Sequence, residues 1–136
     1  LKPKMKTSFL RTLTITGALI LFLNHFSAAQ SFDNIANAIR SGNASAIASS
    51  FQANVEITIK DSGNSYSKSQ AEMVLKDFFS KNQPKGFTIA HQGTSPEGSK
   101  YFIGNLATGN GNYRMYVYAK ANGAAFTIQE IRFEEQ

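Results

Sequence analysis

The chain contains no cysteine. Disulfides, thiolate metal sites and thiol chemistry are therefore excluded, and so is a lipid-modified cysteine as an anchor. Histidine is almost as scarce: of two in the chain, only His91 lies beyond the first 30 residues. One histidine without cysteine does not make a zinc set, which takes three or four protein ligands, so no metal and no cofactor is expected. Long apolar runs are also missing. The longest, Leu13 to Leu23, has 11 residues, whereas a membrane-spanning helix needs roughly 20.

That short apolar run has a recognisable setting. Met5 reads as the start, with Leu1-Lys2-Pro3-Lys4 as upstream sequence, and Lys6 and Arg11 form a basic flank before the run. Ser27-Ala28-Ala29 follows with small side chains, so residues 1–29 read as a signal peptide with Gln30 as the new N-terminus. The expected product is a single 30–136 domain, periplasmic or secreted, with no stable membrane anchor. The leader also carries Lys2, Lys4, Lys6 and Arg11. Removing these four of the 14 basic residues leaves ten against nine acidic ones, so a net charge of +5 becomes +1. No basic run remains, and nucleic acid is not an expected partner. The remaining 107 residues suffice for one core.

Within that domain, Phe32, Ile35, Ala36 and Ile39 recur with helical spacing after a possible Ser31 N-cap, and Gly42-Asn43 ends the run. Ala44, Ile47, Ala48 and Phe51 predict a second short helix. Val55 to Ile59 alternates as a strand, and Ser65 to Ser67 reads as a short return. Ser69 and Glu72 have capping-box spacing at the head of a helix bearing Ala71, Val74, Leu75, Phe78 and Phe79, closed by Pro84 and Gly86. Four antiparallel strands are expected beyond it, over 87–92, 101–108, 113–121 and 124–134. Asn122-Gly123 marks a hairpin between the last two. Phe126 and Ile128 differ in parity from Ile131 and Phe133, and a β-bulge at Gln129-Glu130 would bring all four to one face.

Helices followed by antiparallel strands make an α+β domain. In this order and spacing the chain resembles the nuclear transport factor 2-like superfamily, also called cystatin-like in fold, over residues 31–135. The stretches Phe32 to Ile39, Gly42-Asn43-Ala44 with Phe51, Val55 to Ile59, and Phe78-Phe79 through Phe87 to Gly93 more narrowly resemble a family of small exported bacterial proteins of unknown function. The resemblance implies a strongly curved antiparallel sheet, a cone wrapped around a long helix, with two short N-terminal helices. It also implies a possible small-molecule ligand in the cone and a possible homodimer through the outer sheet face.

The enzymes of that superfamily keep acidic residues, tyrosine or an Asp–His pair inside the cone. His91 shares strand parity with Phe87 and Ile89, which would turn it inward, where it could act as a general base. Glu130, at the expected bulge, is the other catalytic candidate. No carboxylate pairs with His91 in the sequence, and no nucleophile or phosphate-loop motif is present. The reading is thus an exported, non-catalytic domain that binds a small ligand or a partner; the alternative is a small isomerase or dehydratase using His91. The strand 113–121 is more informative. Tyr113, Met115, Val117 and Ala119 form one face, suited to a core; Arg114, Tyr116, Tyr118 and Lys120 form the other. With Tyr101 and His91, the residues Arg114, Tyr116 and Tyr118 are the candidates for a ligand or interface surface.

Overall fold

The computed structural model describes residues 32–136 apart from Ala124; the expected leader and the expected Ser31 cap lie outside the described residues. Helix α1 (Phe32–Arg40) and helix α2 (Ala44–Ala48) lead into strand β1 (Phe51–Ile59) and strand β2 (Ser62–Ser67). Helix α3 (Lys68–Lys81) follows, then β3 (Pro84–Thr94), β4 (Lys100–Thr108), β5 (Gly111–Asn122) and β6 (Ala125–Glu135). One six-stranded sheet has the order β2-β1-β6-β5-β4-β3.

Local chemistry sets most boundaries. Gly42 (φ 64°) ends α1: its N–H bonds to Ile39 O (3.0 Å), and Asn43 N–H bonds to Ala38 O (2.8 Å). This is the Schellman closure, which needs a residue at positive φ. Asn43 then caps α2, its Oδ1 accepting from Ala46 N–H. Phe51, expected on that helix, instead begins β1, and it is buried there.

The cap of helix α3 lies two residues before the expected one. Ser67 and Gln70, not Ser69 and Glu72, exchange the reciprocal bonds. Pairing of Tyr66 with Val55 holds the chain extended up to Ser67, which makes Ser67 the cap and Gln70 its third helical residue. Glu72 turns to Ser45 and Lys76 instead. At the other end Asn82 N–H bonds to Phe78 O (2.8 Å). The helix therefore closes at Lys81, and Pro84 and Gly86 belong to β3, where a proline is tolerated on an edge strand.

The last four strands are antiparallel, as expected, but the sheet is mixed: β1 lies parallel to β6. The expected bulge forms. Tyr118 faces Glu130 and Ala119 faces Ile128, which leaves Gln129 unpaired and buries Phe126, Ile128, Ile131 and Phe133 alike. Helix α3, with 14 residues, does not cover the concave face alone. Phe32 of α1 packs on Phe102 and Phe126, with ring centroids 4.8 Å apart in each case. Phe78 of α3 packs on Phe133 (4.2 Å) and Tyr113 (5.2 Å) at the other end.

Candidate functional site

The concave side of the sheet is built for packing. Tyr113, Met115, Val117 and Ala119 of β5 are all buried, as their alternation predicts. Apart from Tyr113, the only buried polar side chains among the described residues are Ser99 and Thr108. Tyr113 turns its hydroxyl to Asn82 Oδ1 (3.1 Å), so its polar tip has a partner inside the fold. No buried side-chain nitrogen or oxygen among the described residues lacks a hydrogen bond.

His91 is not on that side. Ile89 pairs with Gly104 and His91 pairs with Ile103, so Ala90 is an extra residue in β3 and the alternation reverses after it. The inward expectation for His91, counted from Phe87 and Ile89, fails at this bulge. His91 is exposed on the outer face, with Nε2 3.2 Å from the Tyr101 hydroxyl. Glu130 is also on the outer face, where Arg132 Nη2 donates to its Oε1 at 2.7 Å. The two residues considered for acid–base work thus both lie outside the concave interior.

The strand registers assemble the outer face in rows. Tyr101 pairs with Gly93 on one side and Tyr118 on the other, and Tyr118 pairs with Glu130, which is paired with Glu56. The next row runs His91, Ile103, Tyr116, Arg132 and Thr58. Tyr101, Ile103, Tyr116 and Tyr118 are each half-buried. The Arg132 guanidinium carbon lies 5.8 Å from the centre of the Tyr116 ring, within reach of a cation–π contact. Arg114 is exposed at the end of the tyrosine strip, between Asn105 and Glu134, and makes no ion pair among the described residues.

Two hollows open on this face. The first, of about 220 Å³, is walled by Tyr101, Ile103, Tyr116, Tyr118, Glu130 and Arg132. The second, of about 390 Å³, shares Tyr118 and Glu130 with it and adds Gln52, Asn54, Glu56, Ser65 and Gln129. Gln129, turned outward by the bulge, donates from Nε2 to Gln52 Oε1 (3.2 Å). The sequence candidates Tyr101, Tyr116, Tyr118, Glu130 and His91 are therefore gathered on one face, with Arg114 at its margin. Ile103, Arg132 and Glu56 were missed. Their strand parity was legible, but which strands stand side by side was not.

Hydrogen bonds from Lys76 and Ser45 hold the Glu72 carboxyl below its ordinary range, and the hydrogen bond and charge of Glu135 raise Lys60. No cluster of histidine and carboxylate residues suited to a metal ion is found among the described residues.

Solved structures share this architecture. A family protein from Bacteroides uniformis is 27% identical, with a TM-score of 0.72 over 76% of this chain and 95% of its own. One from Bacteroides fragilis is 28% identical, again with a TM-score of 0.72, over 76% of this chain and 96% of its own. At 9% identity, an NTF-2 like protein of unknown function from Silicibacter pomeroyi aligns with a TM-score of 0.58 over 81% of this chain and 92% of its own, a likeness of fold alone. No curated protein matches the chain. The sequence pattern described as "Domain of unknown function (DUF4783)", the family to which both Bacteroides proteins are assigned, matches residues 32–134, and the chain belongs to that family.

Proposed function

We propose that the protein is an exported, non-catalytic domain whose recognition surface is the outer face of its sheet. The observation that carries this reading is the half-buried cluster of Tyr101, Ile103, Tyr116 and Tyr118, rimmed by charged side chains. Aromatic centres with polar margins are typical of binding surfaces. In this reading the sheet closes as a cone around the helices, and its apolar interior serves the fold. Export is supported by the basic flank, the 11-residue apolar run and the small-residue exit of residues 1–29. N-terminal sequencing of protein recovered outside the cytoplasm tests it; a chain that still begins at Met5 would overturn the cleavage site. Alanine at Tyr116 and Tyr118 together tests the surface: binding should be lost while the melting transition is kept.

One feature of the face favours a second copy as partner. Along the line between β5 and β6, Arg114 stands opposite Glu134, Tyr116 opposite Arg132, and Tyr118 opposite Glu130. A two-fold axis parallel to that line would set each of these residues against the other member of its pair in a second copy, the reciprocal pattern of an isologous interface. Sedimentation velocity on residues 30–136 is the direct measurement. A strict monomer at high micromolar concentration would remove the second copy and leave the surface open to other ligands.

A further inference from the structure

We infer that the two linked hollows of the outer face form a site for a neutral, polyhydroxylated ring, a saccharide, stacked against the tyrosines and hydrogen-bonded at Glu130 and Arg132. The inference rests on the reading that this face is the recognition surface, and it names the class of ligand. It begins from the shape of the first hollow. The ring of Tyr101 lies over Gly93: a Cβ placed on that glycine would come within 2.6 Å of the Tyr101 hydroxyl oxygen and 2.7 Å of Cζ. Tyr101 therefore leans toward β3 and away from Tyr118, although the two residues sit directly opposite each other on β4 and β5. The about 220 Å³ hollow opens between these aromatic walls.

Its chemistry selects among ligands by exclusion. Glu130 and Arg132 neutralise each other at 2.7 Å on one wall. A cation entering there meets the guanidinium that already covers Tyr116, which disfavours it in the first hollow though not in the second, acidic one. An anion meets Glu130 and, in the adjoining hollow, Glu56, with no lysine or arginine on that second lining to offset them. A wholly apolar ligand would strip water from the Glu130–Arg132 pair without replacing its hydrogen bonds, which costs free energy. A neutral ring with adjacent hydroxyls avoids all three penalties. Its C–H face packs on a tyrosine, and one hydroxyl can donate to the carboxylate while its neighbour accepts from the guanidinium. That pair retains further acceptor and donor capacity after its mutual bond. The second hollow continues with Gln52, Asn54, Ser65 and Gln129. These are planar amides and a hydroxyl, able both to donate and to accept. The Gln129–Gln52 bond holds two of them in place. A chain of two or more rings would run from one hollow into the other past Tyr118 and Glu130, which line both.

The test is amide-shift mapping by NMR on ¹⁵N-labelled residues 30–136, the span that holds the whole described core. The probes are maltohexaose, cellohexaose, xylohexaose and chitohexaose, with tetramethylammonium chloride and sodium phosphate as charged probes. The expected result is saturable shifts on β4, β5 and β6 around Tyr101, Tyr118 and Glu130 with at least one oligosaccharide. Affinity should fall by about tenfold or more in Tyr118→Ala and in Glu130→Gln, as when an anchoring contact is lost. Met73→Ala, on an exposed residue of α3, should leave it unchanged. Absence of shifts with all four oligosaccharides overturns the saccharide site, as do shifts produced only by a charged probe. If those negatives come with self-association through the same residues, the recognition surface stands and its partner is a second copy. If they come with neither binding nor self-association, the surface reading falls as well.

Discussion

The Tyr101 ring lies across Gly93, its cross-strand partner, in the space that a side chain on that residue would occupy. The same lean brings its hydroxyl to His91 Nε2 at 3.2 Å and leaves a gap toward Tyr118. A glycine on an edge strand, usually a weak point, here gives an aromatic ring its seat.

Two glycine substitutions should therefore behave differently. In Gly93→Ala the obstructing atoms are the far end of an exposed-face tyrosine, which can rotate away. In Gly104→Ala the new Cβ would lie 2.2 Å from Cζ of the buried Phe87 and 3.0 Å from the Thr88 carbonyl oxygen. Urea unfolding should show Gly104→Ala losing about 2–3 kcal/mol, the cost of overpacking a core. Gly93→Ala should lose well under half of that. Its signature should be a shifted Tyr101 resonance and loss of the His91 contact.

The α3 cap separates two serines two residues apart. Ser67→Ala removes the hydroxyl that accepts from Gln70 N–H and should cost about 1 kcal/mol. Ser69→Ala, at the position that the sequence spacing favoured, should change stability by only a few tenths of a kcal/mol. Equal losses in thermal melts of the two variants would contradict the observed cap.

The core should be most sensitive where rings from helix and sheet meet. Phe102 is fully buried against Phe32 and Phe87, and Phe133 against Phe78 and Phe79. Either residue changed to alanine should lose about 3–5 kcal/mol, a large part of the stability of a domain this size. Exposed Met73→Ala should be close to neutral by the same denaturation assay.

Stability should also depend on pH through Glu72. Its pKa is lowered in the folded state by hydrogen bonds from Lys76 and Ser45, so the unfolded chain binds that proton more tightly. The contribution is present above the ordinary glutamate range and is lost as pH falls through the folded value. The melting temperature of Glu72→Gln should therefore trail that of the parent near neutral pH and converge with it once pH falls below the folded value. Lys60 has the opposite sign: raised by Glu135, its contribution is present below the ordinary lysine range and is lost as pH rises through the folded value.

Several features of the candidate site were legible in local pattern. Alternation along 113–121 separated the buried Tyr113, Met115, Val117 and Ala119 from the outward Arg114, Tyr116 and Tyr118, because a strand turns successive side chains to opposite faces. The parity break in β6 announced the bulge at Gln129. In β3, by contrast, Ala90 is small enough to sit on either side of a sheet. Nothing in the residues around it marked the extra position that turns His91 outward.

Composition and spacing by themselves determined the order of helices and strands, the apolar face of β5 and the bulge in β6. Each of these is a property of a residue and its near neighbours. The tertiary structure alone decided that β1 runs parallel to β6, that Glu56 stands beside Glu130, and that Arg132 lies over Tyr116. It also decided that Tyr101 rests on Gly93. Those relationships join segments far apart in the chain, and the register that sets them comes from packing all the apolar faces into one core at once.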